Sequence, residues 1–82
     1  MFEDTLLKYI KGLGLSKWNI SVKIGEITHV KIDDKLKKAF IYISKSDLPY
    51  KDYFILHELY HIKFPHYSEE QINHLTSRYL KI

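Results

Sequence analysis

His57-Glu58-Leu59-Tyr60-His61 is a stretch of this chain whose residue types and spacing can do chemistry. On a helix, residues four apart lie about 40° apart around the axis, on one face. Two imidazoles at that spacing can hold one Zn²⁺, and the glutamate beside them can take a proton from water that the metal has acidified. The chain has no cysteine, which excludes disulfides, thiolate metal sites and thiol catalysis, so any metal must be held by His, Asp or Glu. A catalytic zinc takes three protein ligands and keeps a fourth position open. His66, Glu69, Glu70 and His74 follow His61 closely and are the candidates for the third ligand. His29 reads as a surface or partly packed residue.

These residues need elements to hold them. The segment from Tyr50 to Phe64 is apolar almost all round a helical wheel, with Asp52 and Lys63 on its solvated sector. Such a helix is buried on most sides, and it carries the two imidazoles and Glu58. Ser46, Asp47 and Pro49 mark its start and Pro65 its end. Ser68-Glu69-Glu70-Gln71 has the form of a capping box, and a last helix follows over about 69–80. Upstream, Phe2, Leu6, Ile10 and Leu13 recur at helical spacing, with Glu3 and Asp4 at the start and Gly12 and Gly14 at the end. That predicts a first helix over about 2–12.

Between the helices the hydrophobic period changes to two. Trp18, Ile20, Val22 and Ile24 alternate with polar residues, Ile27 to Ile32 gives a second strand, and Ala39 to Ser44 a third. Gly25-Glu26 and Asp33-Asp34-Lys35 are turn-like. Short connections favour antiparallel neighbours, so the expectation is an antiparallel meander of three strands. The order helix, three strands, helix, helix makes an α+β domain, with residues 1–82 as a single unit.

Composition narrows the function classes. Apolar residues make up 45% and charged residues 28%, which is too apolar for a disordered tail. A chain of 82 residues has a thin core, and small chains of this kind often gain stability from a metal or a partner. The net charge is +3, but the lysines are spread from Lys8 to Lys81 and Arg78 is the single arginine. Dispersed lysines read as solvated surface, so no nucleic-acid partner is expected. No apolar run approaches the ~20 residues of a membrane span, and the acidic Met-Phe-Glu-Asp start lacks the shape of a signal peptide. A cytoplasmic protein with no membrane partner is expected.

HExxH followed by a helix bearing Glu-x-x-x-Asp/Asn resembles the pattern of gluzincin zinc metallopeptidases. It stands here as His57-Glu58-Leu59-Tyr60-His61 and Glu69-Glu70-Gln71-Ile72-Asn73. The last helix is also similar to the glutamate helix of ImmA/IrrE-type peptidases, with Ile72, Leu75 and Thr76 where those have Ala, Phe and Ala. In size and element order the chain resembles the minigluzincins, minimal zincin-like domains. The resemblance covers most of the chain, and its specific motif residues lie in the last third. It implies zinc as cofactor, His57, His61 and Glu69 as ligands, Glu58 as general base, Asn73 behind a ligand histidine, and a peptide or protein as substrate. It also implies that the third strand, Phe40-Ile41-Tyr42-Ile43, is the rim of the cleft where substrate adds as a strand. Some members are zymogens, so the domain is either open or blocked by Leu80-Lys81-Ile82. Zinc hydrolase and zinc-binding structural or regulatory module are both open readings at this stage. Only seven residues separate His61 from Glu69, and His66 lies in a loop where other HExxH families carry a third histidine, so Glu69 and His66 both stand as third ligand. Tyr67, Tyr79, His74 and Arg78 are within reach as stabilisers of a developing oxyanion.

Overall fold

The computed structural model describes residues 2–82. The chain is α+β, with α1 (Glu3–Gly12), β1 (Asn19–Gly25), β2 (His29–Asp33), β3 (Lys38–Ser44), a 3-10 turn (Lys45–Tyr50), α2 (Lys51–Lys63) and α3 (Glu69–Leu80). The expected element order holds, and the segment holding Pro49 is the 3-10 turn that leads into α2.

The sheet departs from the expected meander. Its order is β1-β3-β2, so β3 lies in the centre. β1 runs parallel to β3 in register Asn19↔Lys38 to Gly25↔Ser44, and β2 runs antiparallel to β3, with His29 opposite Tyr42 and Asp33 opposite Lys38. The residues themselves explain this order. β3 alternates Ala39, Ile41 and Ile43, all fully buried, and a strand that apolar gains most from neighbours on both edges. β2 is short and carries His29, Lys31 and Asp33, which suits an edge. The expectation that Phe40–Ile43 forms the rim of a cleft is therefore corrected: β3 is the middle strand, and β1 and β2 are the edges.

The helices pack on the sheet face that holds Ala39, Ile41 and Ile43. Ile55, Leu56 and Leu59 of α2 are fully buried there, and Ile72 and Thr76, one turn apart on α3, close the other side. Each fully buried aliphatic side chain contributes about 1.5–3 kcal/mol relative to exposure. The Thr76 hydroxyl is satisfied by donating to the Ile72 carbonyl at 2.8 Å. Leu6 and Tyr9 bury the inner face of α1, and Tyr9 meets Tyr79 edge-on at 5.5 Å. Lys63 donates from Nζ to the Leu13 carbonyl at 2.6 Å, tying the end of α2 to the end of α1. The capping box forms as expected: Ser68 Oγ accepts from the Gln71 N–H and Gln71 Oε1 from the Ser68 N–H. It fixes where α3 begins, and so where Glu69 sits. No helix among the described residues is long and apolar enough to cross a membrane.

Candidate metal centre

α2 presents Tyr53, His57 and His61 at four-residue spacing, so the three side chains form one stripe along the helix. α3 enters from the short Phe64–Tyr67 connection, where Tyr67 N–H donates to the Phe64 carbonyl, and sets Glu69 against that stripe. The outcome is a convergence of three potential ligands. His57 Nε2 and His61 Nε2 lie 3.2 Å apart, Glu69 Oε1 is 2.6 Å from His61 Nε2, and Glu69 Oε2 is 3.1 Å from His57 Nε2. Among the described residues these three form the group whose ligand atoms lie close enough to share one ion. His66, the alternative third ligand, is exposed in the loop and outside the group. Glu70 and His74 face outward beside Tyr67 in a separate hollow.

The environment is graded across the cluster. The His57 and His61 side chains are 10% and 21% exposed, while Glu69 is 70% exposed, so the cluster is walled on the helix side and open on the other. Burial lowers the His57 pKa, opposed in part by the Glu69 carboxylate, and so favours the neutral ring that a metal ligand needs. Nδ1 of His57 is buried without a hydrogen-bond partner. Asn73 lies one turn beyond Glu69, and its Oδ1 accepts from the Tyr53 hydroxyl at 3.1 Å, alongside the His57 ring. Asn73 thus lies near His57 with its oxygen engaged by Tyr53, and the expected hydrogen bond to the far nitrogen of a histidine is not made, since Nδ1 of His57 has no partner.

Glu58 is buried beside the cluster. Burial raises its carboxyl to about 7, Glu69 adds to the rise, and His61 opposes it. A carboxyl at that value exchanges a proton near neutral pH, as a general base must. A cleft of about 800 Å³ opens over these groups, with His57, Glu58, His61 and Glu69 on one wall. The facing wall is β2 and the segment before it, including Ile27, Thr28, Val30 and Ile32. One end is polar: Thr28 Oγ1 donates to Asp47 Oδ2 at 2.5 Å and accepts from the Ser44 N–H at 3.0 Å. Leu80, Lys81 and Ile82 do not line this cleft, so they are not its block. None of Tyr67, Tyr79, His74 and Arg78 lines it either, which removes them as stabilisers of a reacting group there. Tyr67 stacks on Phe64, and Tyr79 packs on Tyr9.

The residue that the sequence reading missed is Tyr53. Its place four residues before His57 was the available signal, because it extends the His57–His61 stripe by one turn.

Compared with known protein families, curated proteins and solved structures, the chain matches none of them.

Proposed function

We propose that this chain is a zinc-dependent metallopeptidase of gluzincin type. The observation that carries the reading is the meeting of His57 Nε2, His61 Nε2 and a Glu69 carboxylate beside buried Glu58, in the wall of an open cleft.

The donor set fits a zinc ion. Two neutral imidazoles and one carboxylate are a common catalytic zinc set, and the exposed side of Glu69 leaves room for a further position. For His57 to present its Nε2 lone pair, Nδ1 must carry the proton, and that buried N–H has no acceptor, so packing and not a hydrogen bond would hold the ring. Zinc held by His57, His61 and Glu69 supplies Lewis acidity, polarising a carbonyl and acidifying water.

The remaining steps belong to the chain's own residues. Glu58, with its carboxyl near 7, takes the proton of the attacking water and then hands it to the departing amine. Ile27, Val30 and Phe54 give the cleft an apolar lining against which substrate side chains would pack. β2 is the edge strand on the facing wall, so an extended peptide would lie along it with backbone hydrogen bonds. Tyr53, holding Asn73 beside His57, positions the ligand ring.

The test is zinc content by elemental analysis, together with cleavage of quenched fluorescent peptides by wild type and Glu58→Gln. About one zinc per chain, with cleavage lost in Glu58→Gln and in chelator, supports the reading. A second reading has its own observation: the cluster joins α2 to α3, the last two elements of a thin core. Zinc binding with no hydrolysis of any peptide in the library would favour a structural or regulatory metal module.

A further inference from the structure

The sheet has a second face, opposite the helices. By strand alternation the central strand β3 presents Phe40 and Tyr42 there, and neither ring belongs to the core. The two rings sit about 7 Å apart, two residues along one strand. Lysines that are distant in sequence gather around them. Lys23 Nζ of β1 and Lys38 Nζ of β3 lie 5.8 and 5.5 Å from the centre of the Phe40 ring, and Lys31 Nζ of β2 lies 5.6 Å from that of Tyr42. His29 stacks on Tyr42 at 4.7 Å, with the ring planes 9° apart. Gly25 flanks the same ring, where a Cβ would come within 3.0 Å of Tyr42 Cβ, so the missing side chain leaves room for the tyrosine.

The charges on this face are unbalanced. Asp33 accepts from the Leu36 N–H in the β2–β3 turn, and Asp34 pairs with Lys37. Among the described residues, Lys23, Lys31 and Lys38 form no ion pair. A face with two aromatic rings on its central strand and three unpaired cations around them matches one ligand chemistry closely. Flat bases stack on the rings, and phosphates take the ammonium groups that now hover over them. An acidic protein surface would satisfy the lysines but leave the rings unused.

We propose that this outer face binds single-stranded nucleic acid, by stacking bases on Phe40 and Tyr42 and holding the backbone with Lys23, Lys31 and Lys38. Phe40, Tyr42 and the three lysines lie outside the lining of the cleft, which His29 borders, so this site stands or falls apart from the proposed peptidase activity. The proposal departs from the sequence expectation because strand pairing brings residues 23, 31 and 38, dispersed along the chain, around one pair of rings.

The experiment is fluorescence anisotropy of the full chain with labelled oligo-dT and oligo-rU, across a salt series starting at about 50 mM. Both strands are expected to bind, with affinity falling as salt rises. Phe40→Ala and Tyr42→Ala should each weaken binding at least about fivefold, the lower bound for losing one base–aromatic stack. Phe40→Leu and Tyr42→Leu keep the apolar volume and should weaken it as well, so they decide the matter if circular dichroism shows that the alanine variants fail to fold. Replacing Lys23, Lys31 and Lys38 by Gln should lower the salt slope by about 2, while Lys8→Gln with Lys11→Gln on α1 should leave it nearly unchanged. No binding to either strand overturns the proposal. So does binding that ignores loss of the rings, that weakens equally with the α1 lysines, or that polyglutamate matches.

Discussion

Glu58→Gln isolates the cost of burying this carboxyl. In the metal-free protein, burial moves the Glu58 carboxyl from 4.5 to about 7. Below pH 4.5 both the folded and the unfolded chain keep this proton, and the position costs nothing. As pH rises past 4.5, the unfolded chain releases the proton while the folded chain retains it. Stability therefore falls with rising pH until the folded carboxyl also ionises, and levels off above about 7. The difference between 4.5 and about 7, at about 1.4 kcal/mol for each tenfold change, comes to ~3 kcal/mol at pH 8.5. At pH 5 it is about 1 kcal/mol. Gln has the same shape and never ionises, so the variant should gain over wild type as pH rises, by about 2–3 kcal/mol between pH 5 and 8.5. His57 acts in the opposite direction: its lowered pKa makes stability fall as pH drops below about 6.5. That contribution is common to both proteins and cancels in the comparison. The assay is urea denaturation of chelator-treated protein at the two pH values. In a domain this small the gain at pH 8.5 corresponds to a rise in Tm of about 10–20 °C. A stability gap between the two proteins that stays constant with pH would refute the reasoning, because the Glu58 position would then not be desolvated.

Other outcomes follow from the same geometry. Zinc should raise Tm progressively, by about 4 kcal/mol of stability when free metal is a thousandfold above its dissociation constant, and chelation should reverse the rise in a thermal melt. Glu69→Ala should weaken zinc binding by more than tenfold in a competition titration, whereas His66→Ala should leave it unchanged, since His66 is outside the cluster. Tyr53→Phe loses the hydroxyl that reaches Asn73 but keeps the ring against His57, so it should cost about 1 kcal/mol or less in denaturant, with turnover of a peptide substrate falling further than stability does. Ile41→Ala removes a fully buried side chain from the central strand and should cost about 2–5 kcal/mol, enough in so small a domain to leave a large fraction unfolded at 37 °C by circular dichroism.

The elements were legible where the signal is local. Alternation over Trp18–Ile24 and Ala39–Ser44 gave two strands within a residue of β1 and β3, and the Ser68–Gln71 capping pattern placed the start of α3. The cluster itself was legible because His57 and His61 share one helix face and Glu69 opens the next helix after a short turn. Strand order was not legible, because it depends on a long-range competition. β1 can pair with β2 through a short turn or with β3 along seven residues, and the second choice buries Ile41 and Ile43 between two neighbours. The facing wall of the cleft went unseen for the same reason. Thr28, Ser44 and Asp47 come together only once β2 lies at the edge.

The same long-range step would give the proposed metal a role in folding as well as in chemistry. Where α2 meets α3, Glu58 is buried with its carboxyl raised, a second carboxylate of Glu69 adds to that rise, and Nδ1 of His57 has no partner. Each of these is a cost to folding, and they fall on a chain whose core has few residues to spare. The two carboxylates share one remedy. A divalent cation held by His57, His61 and Glu69 would oppose both with a single charge, while the proton on Nδ1 of His57 would stay without an acceptor. Such a cation favours the ionised form of Glu58, which is the form a general base must have before it acts. Under the proposed function, binding metal and readying the base would be the same event, and removing the metal should lower both stability and hydrolysis.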